Sequence, residues 1–199
     1  MATEIRIFES GAFRTRREDS AQRRGIALEA IESLGADATE SELCRRALRT
    51  LASDADEILF GLVYLVDRDR LGAQLAGSVG VDEGTRWTPR WVDFERSAGW
   101  PLEHVATTGE SAGLDQLETR FGARPSSMKE APSRAHALPV RGRAGEPVRA
   151  ILVVGVRDDE PATAPFLRDA AERIAVALTR SRARAAERAR RTQTPLPGW

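Results

Sequence analysis

The chain of 199 residues has very little cysteine, since Cys44 is the single one. One cysteine per chain excludes a disulfide framework and a cysteine-based metal site within that chain. The sequence is therefore compatible with a reducing compartment, and we expect a cytoplasmic protein. Cys44 falls within the apolar stripe of a predicted helix, so we interpret it as a small buried hydrophobic residue.

Long apolar runs are also missing. No segment approaches the roughly 20 apolar residues that a helix needs to span a bilayer, and residues 1–19 contain no apolar run of signal-peptide length. Neither sign of charge is in excess, because 30 basic side chains balance 30 acidic ones. A neutral chain has no general attraction to nucleic acid or to membrane surfaces, so we expect neither as a partner.

Residue types that usually carry catalysis or bind metals are scarce. His104 and His136 are the two histidines, and without a cluster of carboxylates or cysteines they are weak evidence for a metal. Each is interpreted either as a haem or metal ligand or as a hydrogen-bonded or surface histidine. The sequence also lacks a glycine-serine-glycine elbow and a glycine-rich phosphate loop. We therefore expect no catalytic residue, no metal site, no cofactor and no enzymatic activity.

The N-terminal part of the chain is weakly patterned. We treat residues 1–24 as an extension in which Ile5, Ile7 and Phe8 form a short extended piece or dock on a partner. Apolar residues then recur at helical spacing over residues 25–34, which predicts a first helix.

The spacing of apolar residues changes from helical to strand-like after a second predicted helix. A second helix follows a start signal at Thr39. The almost continuous apolar run ILFGLVYLV (58–66) then predicts a strand covered on both faces. Residues 71–81 alternate in polarity, which predicts an antiparallel partner for that strand.

Short elements follow in an insert rich in aromatic residues. Thr88 before Pro89 is typical of a helix start and predicts a short helix through about Arg96. Pro101 predicts another helix start, and Gly109 is placed as its C-terminal stop.

The second half of the chain predicts three more strands and a long helix. Residues 111–117 are a weak strand candidate, residues 118–135 a polar loop, and residues 136–141 and 148–156 two strands joined by a turn.

The last predicted element is a helix that begins at about Ala164 and runs into an arginine-rich tail, residues 186–199, which we expect to be flexible. Its apolar seam has a coiled-coil-like spacing. The order of helices and hairpins favours an antiparallel sheet layered between helices.

Three segments in this order resemble a known family. They are WPLEHVATTGE (100–110), LETRFG (117–122) and ALPVRGRAGEPVRAILVVGV (137–156), followed by the long C-terminal helix. Together they resemble GAF domains, and most closely the GAF sensor modules of bacterial histidine kinases. The likeness covers residues 25–185.

The resemblance implies an α+β, PAS-like GAF fold with a central antiparallel sheet of five or six strands between helices. It implies that the terminal helices pack on one face and pair two subunits, while loops 82–136 enclose a pocket on the other face. The lone cysteine departs from the paired or triple cysteines of GAF-type methionine sulfoxide reductases. The motifs for bilin and cyclic-nucleotide binding are absent as well.

Candidate site residues follow from this resemblance and from the aromatic content of the insert. The predicted pocket wall consists of Trp87, Trp91, Phe94, Trp100, His104, Phe121, His136 and Leu138. The predicted dimer interface consists of Ile26, Ala30, Leu167, Ala171, Ile174 and Leu178. The aromatic residues are interpreted either as packing of the insert onto the sheet or as a wall for a planar or apolar ligand.

The expected function is that of a sensory or regulatory domain in bacterial signal transduction. It would bind a small ligand or partner, act as a homodimer, and relay the signal to an output such as a histidine kinase. Two alternatives are a haem or redox cofactor-binding sensor on the same fold and a dimerisation module whose pocket is filled by its own side chains.

Overall fold

The computed structural model describes residues 4–35, 38–54, 57–96, 99–142, 145–158 and 160–193, with the side chains of those from residue 18 to residue 191. The helices are α1 (Glu4–Glu32), α2 (Glu40–Asp54), α3 (Leu102–Thr108), α4 (Leu117–Phe121) and α5 (Thr163–Gln193). The strands are β1 (Ile58–Val66), β2 (Gly72–Val79), β3 (Trp91–Asp93), β4 (Ala112–Leu114), β5 (Arg134–Val140) and β6 (Ala150–Val156). None of the helices in this part of the chain is long and apolar enough to cross a membrane.

The strands form one antiparallel sheet in the order β3-β2-β1-β6-β5-β4. The most apolar strands, β1 and β6, pair in the centre, where Leu62 lies opposite Val153. A central strand has both faces covered, which is why these two segments are apolar at successive positions. The predicted α+β fold with a sheet between helices is confirmed.

Each face of the sheet has its own hydrophobic core. Along β6, Leu152 and Val154 face the long helices, whereas Ile151 and Val153 face the loops and short helices. The helix-side core contains residues of α1, α2 and α5, and the loop-side core contains residues of the segments between β2 and β5. The alternation of a strand therefore assigns each of its side chains to one of two layers.

A buried ion pair attaches α1 to the sheet. Arg24 Nε donates a hydrogen bond to Glu57 Oε1, the residue before β1, over 2.6 Å. The guanidinium carbon also lies 5.6 Å from the centre of the Phe166 ring on α5. A charge this deeply buried is tolerated because it is paired and hydrogen-bonded, so Arg24 joins the two terminal helices to the start of the central strand.

From Glu4 onward the N-terminal extension is helical, which corrects the expectation of a short extended piece. The helix α1 begins at Glu4 and continues without a break into the segment predicted to be helical. No proline interrupts residues 4–32, so the backbone hydrogen bonds can run through. At the other end, α5 extends through Gln193, and residues 194–199 of the predicted tail lie outside the described residues.

The helix predicted after Thr88 is absent and an edge strand, β3, takes its place. The Thr88 hydroxyl does not cap a helix: it accepts the backbone N–H of Thr85 over 3.2 Å and donates to the carbonyl of Asp82. Thr88 thus closes the loop at residues 82–88, and the chain beyond it pairs with β2. A threonine hydroxyl can hydrogen-bond nearby backbone groups, so it stabilises a turn as well as the start of a helix.

Among the other short elements, the strand predicted at residues 111–117 is present as β4, the helix predicted after Pro101 is present as α3, and one helix was missed. The helix α3 ends at Gly109, which has the left-handed conformation at φ 69°, as its position predicted. The helix α4 was expected to be loop. It is a single turn between Gln116 at φ 54° and Gly122 at φ 84°, too short to give a helical period.

Candidate functional site

The loop-side core is centred on four aromatic rings, which we call the aromatic cluster: Phe60, Trp87, Trp100 and Phe121. Phe60 comes from β1, Trp87 from the loop closed by Thr88, Trp100 from the residue pair before α3, and Phe121 from the end of α4. Four separate elements therefore meet at one point on this face of the sheet.

The rings form a closed circuit of contacts. The Trp100 and Phe121 ring centres are 4.3 Å apart at an interplanar angle of 32°. The Trp87 ring lies 5.4 Å from Phe121 and 6.2 Å from Phe60, and Phe60 lies 5.9 Å from Trp100. Tilted and edge-to-face pairs at these distances each contribute about 0.5–1.5 kcal/mol beyond the burial of area. The cluster thus holds the loops onto the sheet.

The two buried tryptophans differ in their hydrogen bonding. Trp100 Nε1 donates to the backbone carbonyl of Trp87 over 2.8 Å. Trp87 is only 2% exposed, and its Nε1 is buried without a hydrogen-bond partner in the described structure. A buried donor without a partner costs about 1–3 kcal/mol. The loop-side core therefore contains one indole N–H with nothing to accept it.

Tyr64 adds a second polar group to this layer. Its hydroxyl donates to the backbone carbonyl of Pro89 over 3.1 Å, which ties the loop before β3 to the central strand. Burial raises the pKa of the Tyr64 phenol because the ionised form loses its hydration. Tyr64 is therefore a neutral donor at physiological pH.

Sequence reasoning missed three residues of this site: Phe60, Tyr64 and Met128. All three are buried in the loop-side core. Phe60 and Tyr64 occupy positions in β1 that the sequence already showed to be aromatic, but a strand apolar at every position does not indicate which face each residue takes. Met128 lies in a loop and carried no signal.

Of the predicted pocket wall, Trp87, Trp100 and Phe121 come together in the aromatic cluster, and Phe94 is buried in the same core. Trp91 does not join them. It is 49% exposed, and its ring lies over Gly72 on the face of the sheet opposite to that of its neighbour Val92.

The histidines and Leu138 also lie away from the aromatic cluster. His104 is exposed on α3. His136 lies opposite Val154, and Leu138 opposite Leu152, on the helix-covered face of the sheet. The residues of β5 that face the aromatic rings are instead its alanines, Ala135 and Ala137. This corrects the placement of His136 and Leu138, since the alternation of β5 puts them on the other face.

The predicted dimer residues divide into two groups. Four of them on α5 are buried against the sheet within one chain: Leu167, Ala171, Ile174 and Leu178. On α1, Ile26 is 51% exposed and Ala30 is half-buried. The assignment of the α5 residues is therefore corrected, because an interface between two chains would have to use the outer face of α5, where Val176 is exposed.

Cys44 lies in the helix-side core on α2, as a buried residue. Burial, with a contribution from nearby Glu40, raises the pKa of the thiol to about 12. The thiol is thus protonated at physiological pH, and the prediction of a buried hydrophobic role is confirmed. Among the described residues, no group of three or more histidine, cysteine, aspartate or glutamate side chains could hold a metal ion.

No model of a known protein family matches the sequence, and no curated protein matches it. Solved structures do match the fold. The GAF domain of a phosphoenolpyruvate-protein phosphotransferase from Coxiella burnetii superimposes with a TM-score of 0.62 at 14% identity, covering 85% of this chain and 98% of that one. The corresponding domain from Acinetobacter gives 0.59 at 16% identity, covering 82% and 94%.

The third similar structure contradicts the expectation, drawn from the scarcity of catalytic residue types, that the protein has no enzymatic activity. Free methionine-R-sulfoxide reductase from Neisseria meningitidis, in complex with its substrate, matches with a TM-score of 0.58 at 15% identity, covering 79% of this chain and 89% of that one. Reductases of this kind occur repeatedly among the similar structures. Proteins with this architecture thus include enzymes as well as sensors, so the fold does not exclude enzymatic activity.

These similarities agree with the order of the strands, with the long helices on one face and with the loops on the other. All of the identities are low, so they establish the architecture rather than the ligand or the partner. The protein has the fold of a GAF domain.

Proposed function

We propose that the protein is a sensory or regulatory GAF domain that binds a small planar ligand in its loop-side core. The observation that carries this proposal is the buried indole N–H of Trp87, which has no acceptor. A buried donor that the fold leaves unpaired is unfavourable in the free protein and becomes favourable once a ligand supplies an acceptor.

The surroundings of Trp87 support one chemical class of ligand. Its neighbours in the aromatic cluster are the rings of Phe60 and Phe121, and the hydroxyl of Tyr64 is already bonded to a backbone carbonyl. Such a site favours a flat, mostly apolar molecule that stacks on the rings and carries one hydrogen-bond acceptor, such as a carbonyl or ring nitrogen, for Trp87.

The ligand would enter by displacing part of the loop that carries Trp87. That loop is held by the bonds of Thr88 and by the backbone N–H of Asp82, which donates to Ser127 Oγ over 3.2 Å. Asp82 and Ser127 lie on neighbouring loops and both are exposed at this bond, so the two loops can separate without disturbing the sheet. Opening must also separate Trp87 from the rings of Phe60 and Phe121 and break the bond from Trp100 Nε1 to the Trp87 carbonyl, so contacts with the ligand would have to offset that cost.

The relay to an output would pass through the terminal helices of a homodimer. In support of this, Ile26 on α1 and Val176 on α5 expose large apolar side chains on helices that pack together within one chain. Ligand binding would bias the arrangement of these helices only if the two arrangements differ in ligand affinity. The output would be a signalling partner such as a histidine kinase.

A second candidate is favoured by the close packing of the same core. The aromatic cluster is buried, and its rings already contact one another. The protein would then be a dimerisation module whose core is filled by its own side chains. The haem alternative is not favoured, since neither His104 nor His136 faces the loop-side core.

Native mass spectrometry of freshly purified protein separates these candidates. The proposal predicts a dimer that carries a bound small molecule. A dimer that never gains mass, whether purified or mixed with planar heteroaromatic carbonyl compounds, would support the self-filled module. A monomer at high micromolar concentration by light scattering, unchanged by such compounds, would contradict both.

A further inference from the structure

A groove of about 1060 Å³ lies at one end of the sheet, away from the aromatic cluster. Four segments line it: residues 38–40 before and at the start of α2, residues 65–70 at the β1–β2 turn, residues 147–149 before β6, and residues 181–188 of α5. Beyond Ser181, α5 has no further buried residue, so the groove lies between the projecting half of this helix and the ends of the central strands.

The charge that lines the groove is mainly positive. Arg68, Arg70 and Arg149 are exposed, and none of the three forms an ion pair with any residue that the structure describes. Arg182 is different, because its Nη2 donates to Glu40 Oε2 over 2.7 Å and its Nε bonds the other oxygen of that carboxylate. Arg182 is therefore neutralised within the chain, whereas three arginines of the groove are available to a partner.

Backbone hydrogen bonds fix the main chain at two of these arginines, Arg70 and Arg149. The turn that carries Arg70 is closed by the N–H of Arg70, which donates to the carbonyl of Asp67 over 3.1 Å, and by the N–H of Asp67, which donates to Gly72 over 3.0 Å. The N–H of Arg149 donates to the carbonyl of Val140 on the neighbouring strand over 3.1 Å. A surface with a pre-ordered backbone loses less entropy on binding.

We infer that this groove binds an acidic segment of a partner polypeptide. Its volume is at or above the upper end of the range of about 300–1000 Å³ that small-molecule sites occupy. Its walls combine the three arginines with apolar contacts from Leu65 and Ala185, as suits a peptide that alternates carboxylates with apolar side chains. Complementary charge of this kind sets the choice of partner and the rate of encounter.

Nucleic acid is the less favoured partner for this groove. The chain as a whole is neutral, with a pI near 6.8, whereas nucleic-acid-binding domains are typically strongly basic. The inference concerns a surface remote from Trp87 and does not depend on the proposed ligand site.

The test compares two double variants of equal charge. Arg68→Glu with Arg149→Glu reverses two arginines of the groove, and Arg96→Glu with Arg124→Glu reverses two exposed arginines that do not line it. Arg70 is left unchanged because its backbone has φ 56°, where substitution would disturb the turn. The probes are a fluorescent peptide of alternating glutamate and leucine residues, a single-stranded thymidine oligonucleotide of similar length, and inorganic phosphate as competitor. Binding is followed by fluorescence anisotropy.

We expect the full-length protein to bind the acidic peptide saturably, with affinity at least tenfold weaker in the groove variant and within about twofold of wild type in the control. Each reversal removes an attraction to the peptide and replaces it with a repulsion, so two reversals weaken binding more than the loss of two ion pairs alone would. Circular dichroism of both variants checks that each of them is folded. Failure to bind the peptide, equal losses in both variants, tighter binding of the oligonucleotide, or full competition by millimolar phosphate would each overturn the inference.

Discussion

The ring of Phe60 lies directly over Gly155, so closely that a Cβ atom at Gly155 would overlap the ring. Gly155 belongs to the central strand β6, and Phe60 belongs to the aromatic cluster. The backbone of the sheet is therefore the floor on which the loop-side rings rest. Gly155 thus makes room for the large ring of its cross-strand partner on β1.

Replacing Gly155 with alanine should displace Phe60 and loosen the aromatic cluster. Overpacking a well-packed core costs about 1–3 kcal/mol, so we expect the free energy of unfolding to fall by about that amount. Urea unfolding measures it, and the near-ultraviolet circular dichroism of the tryptophans should weaken in parallel. Unchanged stability together with an unchanged tryptophan spectrum would contradict this packing.

Replacing Gly25 on α1 with alanine should have the opposite effect on the free energy of unfolding. It is exposed, and a Cβ atom placed there would meet no atom within 4 Å. Glycine inside a helix is less favourable than alanine by about 1 kcal/mol, so Gly25→Ala should raise the free energy of unfolding by about 0.5–1 kcal/mol. Thermal or urea unfolding of this variant tests whether α1 is one continuous helix. A loss of stability would argue against that helix.

The ion pair between Arg24 and Glu57 should matter more than an exposed pair on the same helices. Arg24→Ala leaves the carboxylate of Glu57 partly buried without its partner and removes the contact with Phe166. We expect a loss of about 2 kcal/mol, less than for a fully buried pair.

The control is Arg173→Ala, which removes a more exposed pair with Glu32 together with a bond to the Leu28 carbonyl on α1. Such pairs contribute at most about 1 kcal/mol, so this variant should unfold close to wild type. Equal losses in the two variants would show that Arg24 has no special role in docking α1.

Cys44 should be unreactive until the protein unfolds. Burial raises the pKa of its thiol to about 12, and only the thiolate reacts with a disulfide reagent. At pH 8 we therefore expect slow labelling of the native protein and rapid labelling in urea. Because the unfolded thiol ionises first, stability contributed by Cys44 should be lost as pH rises from about 9 towards 12. Fast labelling of native protein would contradict its burial.

The sequence was sufficient for the elements whose residues follow a period. The apolar run of β1, the long helix α5 and the glycine stop after α3 were predicted with bounds close to those observed. Such features depend on local spacing, which is visible in a single chain.

The composition of the site was less predictable, because it depends on which face each residue takes. Leu138 is large and looked like a pocket residue, yet it packs against the helices, while Ala137 beside it faces the aromatic rings. Aromatic rings from the loops pack against that face, so the strand contributes small residues there. A local sequence pattern does not show how segments so distant along the chain pack against one another.

The central claim is that the N–H of Trp87 donates a hydrogen bond to a ligand in the loop-side core. The most direct measurement is the occupancy of the bound small molecule by native mass spectrometry in two variants purified side by side. Trp87→Phe keeps a ring and removes the buried N–H, while Trp91→Phe changes a tryptophan on the other face. We predict that Trp91→Phe retains the ligand and that Trp87→Phe binds it at least tenfold more weakly, because one buried hydrogen bond is worth about 1.4 kcal/mol. Equal retention by the two variants, or a wild-type protein that never carries a ligand, would contradict the claim.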